Sequence, residues 1–167
     1  AEVTLVLGRH GVSVPGGIKV VSVETTEDMY EAVMKEMKDC DLIVKAAAPC
    51  DYKPSVFSGN KIKSSELTVS FSKNKDIAAE VGRIKGDKKL VVFSAETENL
   101  LENARNKLLK KNADLVVAND VTQEGAGFLT DTNKVYILDR KGVVAETPVM
   151  SKSEVADVIL DCAAEIL

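Results

Sequence analysis

The segment LIVKAAAPCDYK, residues 42–53, passes from an apolar run into small residues and then reaches an acidic turn. An apolar run such as Leu42-Ile43-Val44 is typical of a strand that is buried on both faces of a parallel sheet. In open α/β sheets, ligands bind outside the carboxyl ends of such strands. The residues that follow this run are therefore candidates for a ligand site.

The loop after this strand carries one acid and several cations around a turn. Asp51 supplies the carboxylate. The cations are Lys53, Lys61 and Lys63, placed around Ser58-Gly59-Asn60. Ammonium groups bind phosphate, and a carboxylate binds Mg²⁺, so the segment predicts a site for a polyanion with Asp51 as a magnesium ligand. An exposed lysine-rich loop is the alternative, and this segment taken alone favours it.

Composition narrows the class of protein. A chain of 167 residues is most simply one domain. Its net charge of −4 argues against a nucleic-acid binder. No apolar run approaches the roughly 20 residues of a membrane span. Because Ala1-Glu2-Val3 leads directly into a strand-like segment, we expect no signal peptide. Cys40, Cys50 and Cys162 lie in no CxxC or Cys/His cluster, which argues against zinc and predicts reduced thiols in a cytoplasm.

Apolar periodicity predicts strands that alternate with helices. The predicted strands are Val3–Leu7, Ile18–Val23, Leu42–Ala46, Leu67–Phe71, Lys89–Ser94 and Asp114–Ala118, and then a hairpin of Lys134–Leu138 with Val143–Glu146. The predicted helices begin at Thr25-Thr26, cover Ile77–Ile84 and Glu98–Lys111, and end the chain after a Ser151/Glu154 capping box. Asn119-Asp120 are expected to break their strand, and Gln123–Gly127 to form a loop. The predicted fold class is α/β, a doubly wound, mostly parallel Rossmann-like sheet with a late β-hairpin.

Five separated segments carry a resemblance to a known family. They are DYKP from Asp51 with Lys61-Ile62-Lys63 beyond it, KNKDI at Lys73–Ile77, FSAET at Phe93–Thr97, ANDV at Ala118–Val121 and GAGF at Gly125–Phe128. In order and spacing they resemble the bacterial phosphopantothenate–cysteine ligase domain (phosphopantothenoylcysteine synthetase), which is often fused behind a flavin-dependent decarboxylase in coenzyme A biosynthesis. The likeness covers essentially the whole chain.

The resemblance implies a reaction and its partners. CTP would activate the carboxylate of 4'-phosphopantothenate as an acyl-cytidylate, with release of pyrophosphate, and the amine of cysteine would then displace CMP. The resemblance further implies Mg²⁺, a homodimer, and FMN only if a decarboxylase is fused upstream.

The resemblance also implies which residues act. Lys61 matches a loop lysine that closes on the triphosphate or acyl-nucleotide and is the expected catalytic residue. The other expected nucleotide contacts are Asp51, Asn74, Lys75, Asp76, Ile77, Phe93, Lys107 and Lys111, and Ala47, Ala48, Asn119 and Asp120 are further candidates. From the residues alone, the two helix lysines share one face, but a solvated face explains them too, and Phe93 fits a core position.

This sequence departs from the family in three places. Lys75 stands where the family has proline, and Cys50 where it has a small alanine-like residue. The family's opening strand and its Asn…Ser-Ser-Gly-Lys-Met-Gly phosphate segment have no match. We therefore expect residues 1–167 to form one nucleotide-binding ligase domain that lacks its first βα unit, keeps much of the nucleotide half-site and is weak or inactive alone.

Other classes of function stay open at this point. The main alternative is an inert nucleotide-binding and dimerisation fragment, with the Lys134–Glu146 hairpin as the pairing arm. A regulatory doubly wound domain would need an acidic pair after the first strand, where Gly8-Arg9-His10 stands instead, and His10 is expected to be solvated. A dinucleotide-binding oxidoreductase is disfavoured because no GxGxxG follows a strand.

Overall fold

The computed structural model describes residues 1–11, 13–120 and 130–167, with the main chain alone at Asp120. This part of the chain forms two compact units. The first unit comprises Ala1–Glu36 with Ala47–Ile77, and the second comprises Met37–Ala46 with Ala78–Leu167. No helix in the described ranges combines the length and the apolar character needed to cross a membrane.

The main strands and helices follow the predicted order, and three short strands that the sequence does not predict are added to them. Their order is β1 (Thr4–Leu7), β2 (Lys19–Ser22), α1 (Thr26–Glu36), β3 (Leu42–Lys45), β4 (Tyr52–Pro54), β5 (Phe71–Lys73), α2 (Ile77–Ile84), β6 (Lys89–Glu96), α3 (Leu100–Lys110), β7 (Leu115–Asp120), β8 (Thr132–Asn133), β9 (Val135–Leu138), β10 (Val143–Glu146), β11 (Met150–Ser151) and α4 (Lys152–Ala164). A short 3₁₀ turn, Met37–Asp39, follows α1.

The first unit contains a parallel strand pair, β1 with β2, and an antiparallel pair, β4 with β5. α1 begins where the sequence predicts it, because two groups cap its first turn reciprocally. The Thr25 hydroxyl accepts a hydrogen bond from Asp28 N at 3.0 Å, and the Asp28 carboxylate accepts one from Thr25 N at 2.9 Å. These bonds hold the pKa of Asp28 below its usual range. Met29 and Val33, on the predicted core-facing stripe, are half-buried.

The second unit is built on a five-stranded sheet of order β10-β9-β7-β6-β3. β3, β6 and β7 are parallel, β9 runs antiparallel to β7, and β10 completes the hairpin. The α/β prediction, with parallel central strands and a late β-hairpin, is therefore confirmed. Parallel strands direct their carboxyl ends to one edge, so the ends of β3, β6 and β7 share the edge where α/β proteins bind ligands.

Both faces of this sheet are covered. Val91 of β6 and Val117 of β7 pack in one cluster with Val155 and Ile159 of α4. The alternate residues of β6, Leu90 and Val92 among them, are buried as well. This explains why the strands of the sheet read as continuous apolar runs rather than as alternating patterns. α4 starts at the predicted capping box, since Ser151 and Glu154 cap each other's backbone N–H.

Three predictions of secondary structure are wrong. Leu67–Phe71 is not a strand: β5 begins only at Phe71, and Leu67 and Val69 are exposed because no sheet covers them. Its partner β4 forms at Tyr52–Pro54, where a loop is predicted. Asn119-Asp120 do not break their strand, because β6 and β9 hydrogen-bond β7 from both sides, placing Asn119 between Ala95 and Val135.

Candidate functional site

The loop after β3 exposes its charged groups. Asp51 and the lysines Lys61 and Lys63 are exposed, as are Ala47 and Ala48. Lys53 lies 3.5 Å from the carboxylate of Glu27, in the first turn of α1. The predicted acid and cations of this loop are therefore open to a ligand rather than buried in a core.

Asn74 ties the acidic turn in place. Its backbone N–H donates to Asp51 O at 2.7 Å, and its side-chain Nδ2 donates to Cys50 O at 2.8 Å. Nδ2 also lies 3.4 Å from the Thr26 hydroxyl, at the start of α1. Sequence reasoning predicts Asn74 as a nucleotide contact, and the geometry shows in addition that Asn74 orients the main chain on which Asp51 stands.

Lys75 has protein partners of its own. Its ammonium donates to Glu27 Oε1 at 2.6 Å and lies 4.1 Å from the centroid of the Tyr30 ring. The hydrogen bond raises the pKa of Lys75 and lowers the pKa of Glu27. Since Lys53 also approaches Glu27, one carboxylate is shared by two ammonium groups.

Asp76 and Ile77, the next two expected contacts, differ in exposure. Asp76 is exposed, whereas the Ile77 side chain is 3% exposed. A nucleotide would therefore meet Ile77 through its main chain, at the start of α2, where backbone N–H groups are unpaired within the helix.

In the second unit, two expected nucleotide residues meet directly. The ammonium of Lys107, on α3, donates to Phe93 O of β6 at 3.3 Å. The Phe93 side chain is half-buried against the cluster that contains Val91 and Val117, as the core interpretation predicts. Lys111 caps the C terminus of α3 one turn after Lys107 and is half-buried.

Sequence reasoning missed a polar network around Glu96, which lies beside Lys107. Glu96, the last residue of β6, accepts from the Ser94 hydroxyl at 2.6 Å and from Asn103 Nδ2 at 3.2 Å. The Glu96 carboxylate also lies 3.9 Å from the Lys107 ammonium. The one available signal was FSAET, which places Ser94 and Glu96 on the same face of a strand that ends at the ligand edge.

Asn119 is the other polar group at this edge. It is 9% exposed, and its Oδ1 has no hydrogen-bond partner among the residues that the structure describes. Buried amide oxygens are normally paired, so a donor from a ligand would satisfy it. The side chain of Asp120, the predicted loop at Gln123–Gly127 and the GAGF segment at Gly125–Phe128 lie outside the described residues.

The expected site residues thus form two groups. Asp51, Lys61, Asn74, Lys75 and Asp76 belong to the first unit, and Phe93, Lys107, Lys111 and Asn119 belong to the second. Within each group the neighbours are brought together, through Asn74 in the first and through Lys107 in the second. That both groups bind one triphosphate stays a prediction.

A cavity of about 430 Å³ opens in the first unit, at the carboxyl ends of β1 and β2. Its lining includes Arg9, His10, Ser22 and Glu24. Arg9 pairs with Glu24 at 3.4 Å, and both side chains are largely exposed. His10 is exposed, as predicted, but lines this cavity rather than an open loop.

Cys40 and Cys162 are not activated thiols. Partial burial raises the pKa of Cys40 and Cys162, which keeps both thiols protonated near neutral pH. Within the described ranges, no group of three or more His, Cys, Asp or Glu residues could hold a metal ion.

Comparison with known proteins gives a consistent family. The model of the family described as the DNA/pantothenate metabolism flavoprotein C-terminal domain matches residues 1–167. A crystal structure of the C-terminal domain of the coenzyme A biosynthesis bifunctional protein CoaBC is similar to this chain, with a TM-score of 0.82 and 36% identity. The match covers 99% of this chain and 76% of that one.

Two curated relatives are similar over most of this chain. The coenzyme A biosynthesis bifunctional protein CoaBC of Bacillus subtilis (strain 168) is 39% identical over 163 residues, which cover 96% of this chain and 40% of that protein. A cysteine/cysteine sulfinic acid decarboxylase from an unknown prokaryotic organism is 38% identical over 160 residues, which cover 93% of this chain and 45% of that protein. The chain therefore spans less than half the length of either relative.

Proposed function

Because this chain belongs to the DNA/pantothenate metabolism flavoprotein C-terminal domain family, we propose that it carries the ligase activity of coenzyme A biosynthesis, joining 4'-phosphopantothenate to cysteine at the expense of CTP. The observation that carries this proposal is the similarity of 99% of the chain to the C-terminal domain of CoaBC, at 36% identity. That domain assignment supports ligation over decarboxylation, although one relative is named a decarboxylase.

The proposed reaction has two steps. The carboxylate oxygen of 4'-phosphopantothenate attacks the α-phosphorus of CTP. The bond from that phosphorus to the α–β bridging oxygen breaks, and pyrophosphate leaves. The cysteine amine then attacks the acyl carbon, loses a proton and displaces CMP, which leaves an amide. Both steps build negative charge on phosphate oxygens, so positioned cations would lower both barriers.

Two lysines are proposed to supply such cations, and an asparagine to position the acidic turn. Lys61, on the exposed loop, is the proposed catalytic cation for the triphosphate and the acyl-nucleotide. Lys107 is already held at the carboxyl end of β6 and would bind phosphate through its remaining donors. Asn74 would keep Asp51 oriented through the bonds to Cys50 and Asp51.

Mg²⁺ would bind at Asp51 together with the phosphates of the nucleotide. Asp51 is an exposed carboxylate on an ordered turn, and Mg²⁺ in nucleotide sites takes one or two carboxylates and completes its shell with phosphate oxygens and water. Bound there, the ion would neutralise charge on the triphosphate. An FMN-dependent decarboxylase on the same polypeptide is the proposed fusion partner, in line with the bifunctional relatives.

A homodimer is part of the proposal, with the β9–β10 hairpin as the pairing arm. β10 is an edge strand of the sheet, and its Val143 and Val144 are each about half exposed. Exposed apolar residues on an unpaired strand edge favour association with another chain. Light scattering should therefore give twice the mass of one chain. Val144→Lys should reduce the measured mass to that of a single chain.

The ligase proposal is tested by binding and by turnover. Calorimetry on this chain should detect binding of CTP with Mg²⁺, with ATP and UTP as controls. On the polypeptide that also carries the proposed decarboxylase, CTP and 4'-phosphopantothenate should release pyrophosphate, and cysteine should then displace CMP and sustain turnover. There, Lys61→Gln should lower turnover about 100-fold, because one transition-state donor is lost. Lys152→Gln, at an exposed lysine at the start of α4 that belongs to none of the expected site residues, is the control and should retain activity.

Each outcome separates the candidates. No binding of CTP, or equal activity of Lys61→Gln and Lys152→Gln, contradicts the proposed site. Binding without turnover supports the alternative, a nucleotide-binding and dimerisation fragment.

A further inference from the structure

Glu96 lies at the end of β6, and two side chains hold its carboxylate. Ser94, which is 1% exposed, donates its hydroxyl proton to Glu96 Oε1 at 2.6 Å. Asn103, in the second turn of α3, donates to Oε2 at 3.2 Å. The carboxylate has little freedom to rotate, because a strand residue and a helix residue each hold one of its oxygens.

The fixed carboxylate faces Lys107. The ammonium lies 3.9 Å from Glu96 Oε1, beyond hydrogen-bond distance. The Glu96 side chain is 22% exposed and the Lys107 side chain 34%. Phe93 O, at 3.3 Å, accepts one of its hydrogen bonds. Lysine has three N–H donors, and within the described residues the hydrogen bond to Phe93 O uses one of them. The ammonium is therefore confined but keeps donors for a ligand.

We propose that Glu96 is a positioning residue: it holds the Lys107 ammonium at the carboxyl end of β6, ready to bind a phosphate of the nucleotide. The proposal rests on the ligase function proposed above, and it adds a residue to that function. A lysine loses side-chain freedom when it binds an anion. Where the folded chain already confines the ammonium, part of that freedom is lost on folding, so binding the anion costs less conformational entropy.

A purely structural role for Glu96 makes different predictions. Asn103 also donates to Glu98 O at 2.9 Å, and the N-cap residue of α3, Asn99, makes no side-chain capping bond. Glu96 therefore lies where a carboxylate would favour the start of α3 through the helix dipole alone. In that case its loss would lower stability without any link to Lys107.

The test is a double-mutant cycle on CTP binding with Mg²⁺, measured by calorimetry on the whole chain. Glu96→Gln and Lys107→Ala should each weaken binding about tenfold, and the double variant should lose little more than either one, because the two residues act as a unit. Glu146→Gln is the matched control: it removes an exposed carboxylate 3.0 Å from Lys134 and should leave CTP binding unchanged.

A second measurement reads the contact without nucleotide. In ¹³C-dimethylated protein, Glu96→Gln should shift the Lys107 methyl resonance, and Glu146→Gln should shift that of Lys134 instead. If the unsubstituted chain binds no CTP, the ligase function fails while this resonance still tests the Glu96–Lys107 contact.

Three results would overturn the inference. They are an unshifted Lys107 resonance, losses of binding that add in the double variant, and tighter CTP binding by Glu96→Gln. The last would mean that the carboxylate acts on the nucleotide only through its like charge.

Discussion

At the scale of single residues, Gly82 on α2 has no room for a side chain. A Cβ built there would lie 1.7 Å from Lys111 O, at the C terminus of α3. The contact is fixed from the other side as well, because Asn112 donates its side-chain amide to Gly82 O at 2.8 Å. Asn112 itself ends α3 in the left-handed region, with φ of 48°. One small residue therefore sets how closely α2 approaches the end of α3.

Gly82→Ala should destabilise the protein by about 2 kcal/mol, because the methyl group meets backbone rather than a flexible side chain. Helix propensity alone predicts the opposite sign, about 1 kcal/mol of stabilisation. Urea unfolding measures the difference. Gly59→Ala, where nothing lies within 4 Å, is the control and should be neutral. A more stable Gly82→Ala protein would show that α2 and the end of α3 can move apart at no cost.

At the scale of elements, the final helix depends on its first turn. The Ser151 side chain accepts from Glu154 N at 3.2 Å, and the Glu154 carboxylate accepts from Ser151 N at 2.9 Å. α4 supplies Val155, Ile159 and Ala163 to the core cluster, so fraying of its start would expose the sheet face that it covers.

Ser151→Ala should lower the free energy of unfolding by about 1 kcal/mol, the usual loss when an N-cap oxygen is removed. Ser153→Ala, an exposed position in the same helix, is the matched control. Denaturant unfolding followed by circular dichroism measures both. Equal stability of the two variants would mean that packing alone holds the first turn.

At the scale of the whole molecule, stability should fall in acid. Hydrogen bonds lower the pKa of four carboxyls, namely Glu27, Asp28, Glu146 and Glu154. A carboxyl whose pKa is lower in the folded state stabilises the protein above its unfolded pKa. That contribution is lost as the pH falls through the folded pKa. Because Glu and Asp have ordinary values of 4.5 and 3.8, the loss should begin near those values and continue below them.

Lys75 and Lys134 act at the opposite end of the pH scale. Their hydrogen bonds to Glu27 and Glu146 raise the pKa of each lysine. This contribution is complete below the ordinary lysine value of 10.5 and disappears as the pH rises through the folded pKa. Unfolding free energies across pH should therefore show a plateau with losses at both ends, and Glu154→Gln should reduce the acid loss. A free energy of unfolding that stays constant from neutral pH down to acid would contradict the lowered pKa values of these carboxyls.

Local patterns account for the successful predictions. The apolar runs of β3, β6 and β7, the Ser151/Glu154 capping box and the β9–β10 hairpin are all visible in a few neighbouring residues. Such signals act over one turn or one strand, so no distant partner is needed to read them. The failed boundaries depend on partners. The alternation at Leu67–Phe71 lacks a covering layer, and Asn119 stays in β7 because strands on both sides bind it.

By itself, the amino-acid sequence determined the α/β class, the main strands and helices and the family, because periodicity, caps and spaced motifs are properties of the linear chain. Only the tertiary structure decided that Asn74 holds the Asp51 turn and that Asn103 and Ser94 hold Glu96 beside Lys107. These contacts join residues that the fold brings within hydrogen-bond distance. A pairing of that kind depends on packing and orientation, which residue spacing along the chain does not specify.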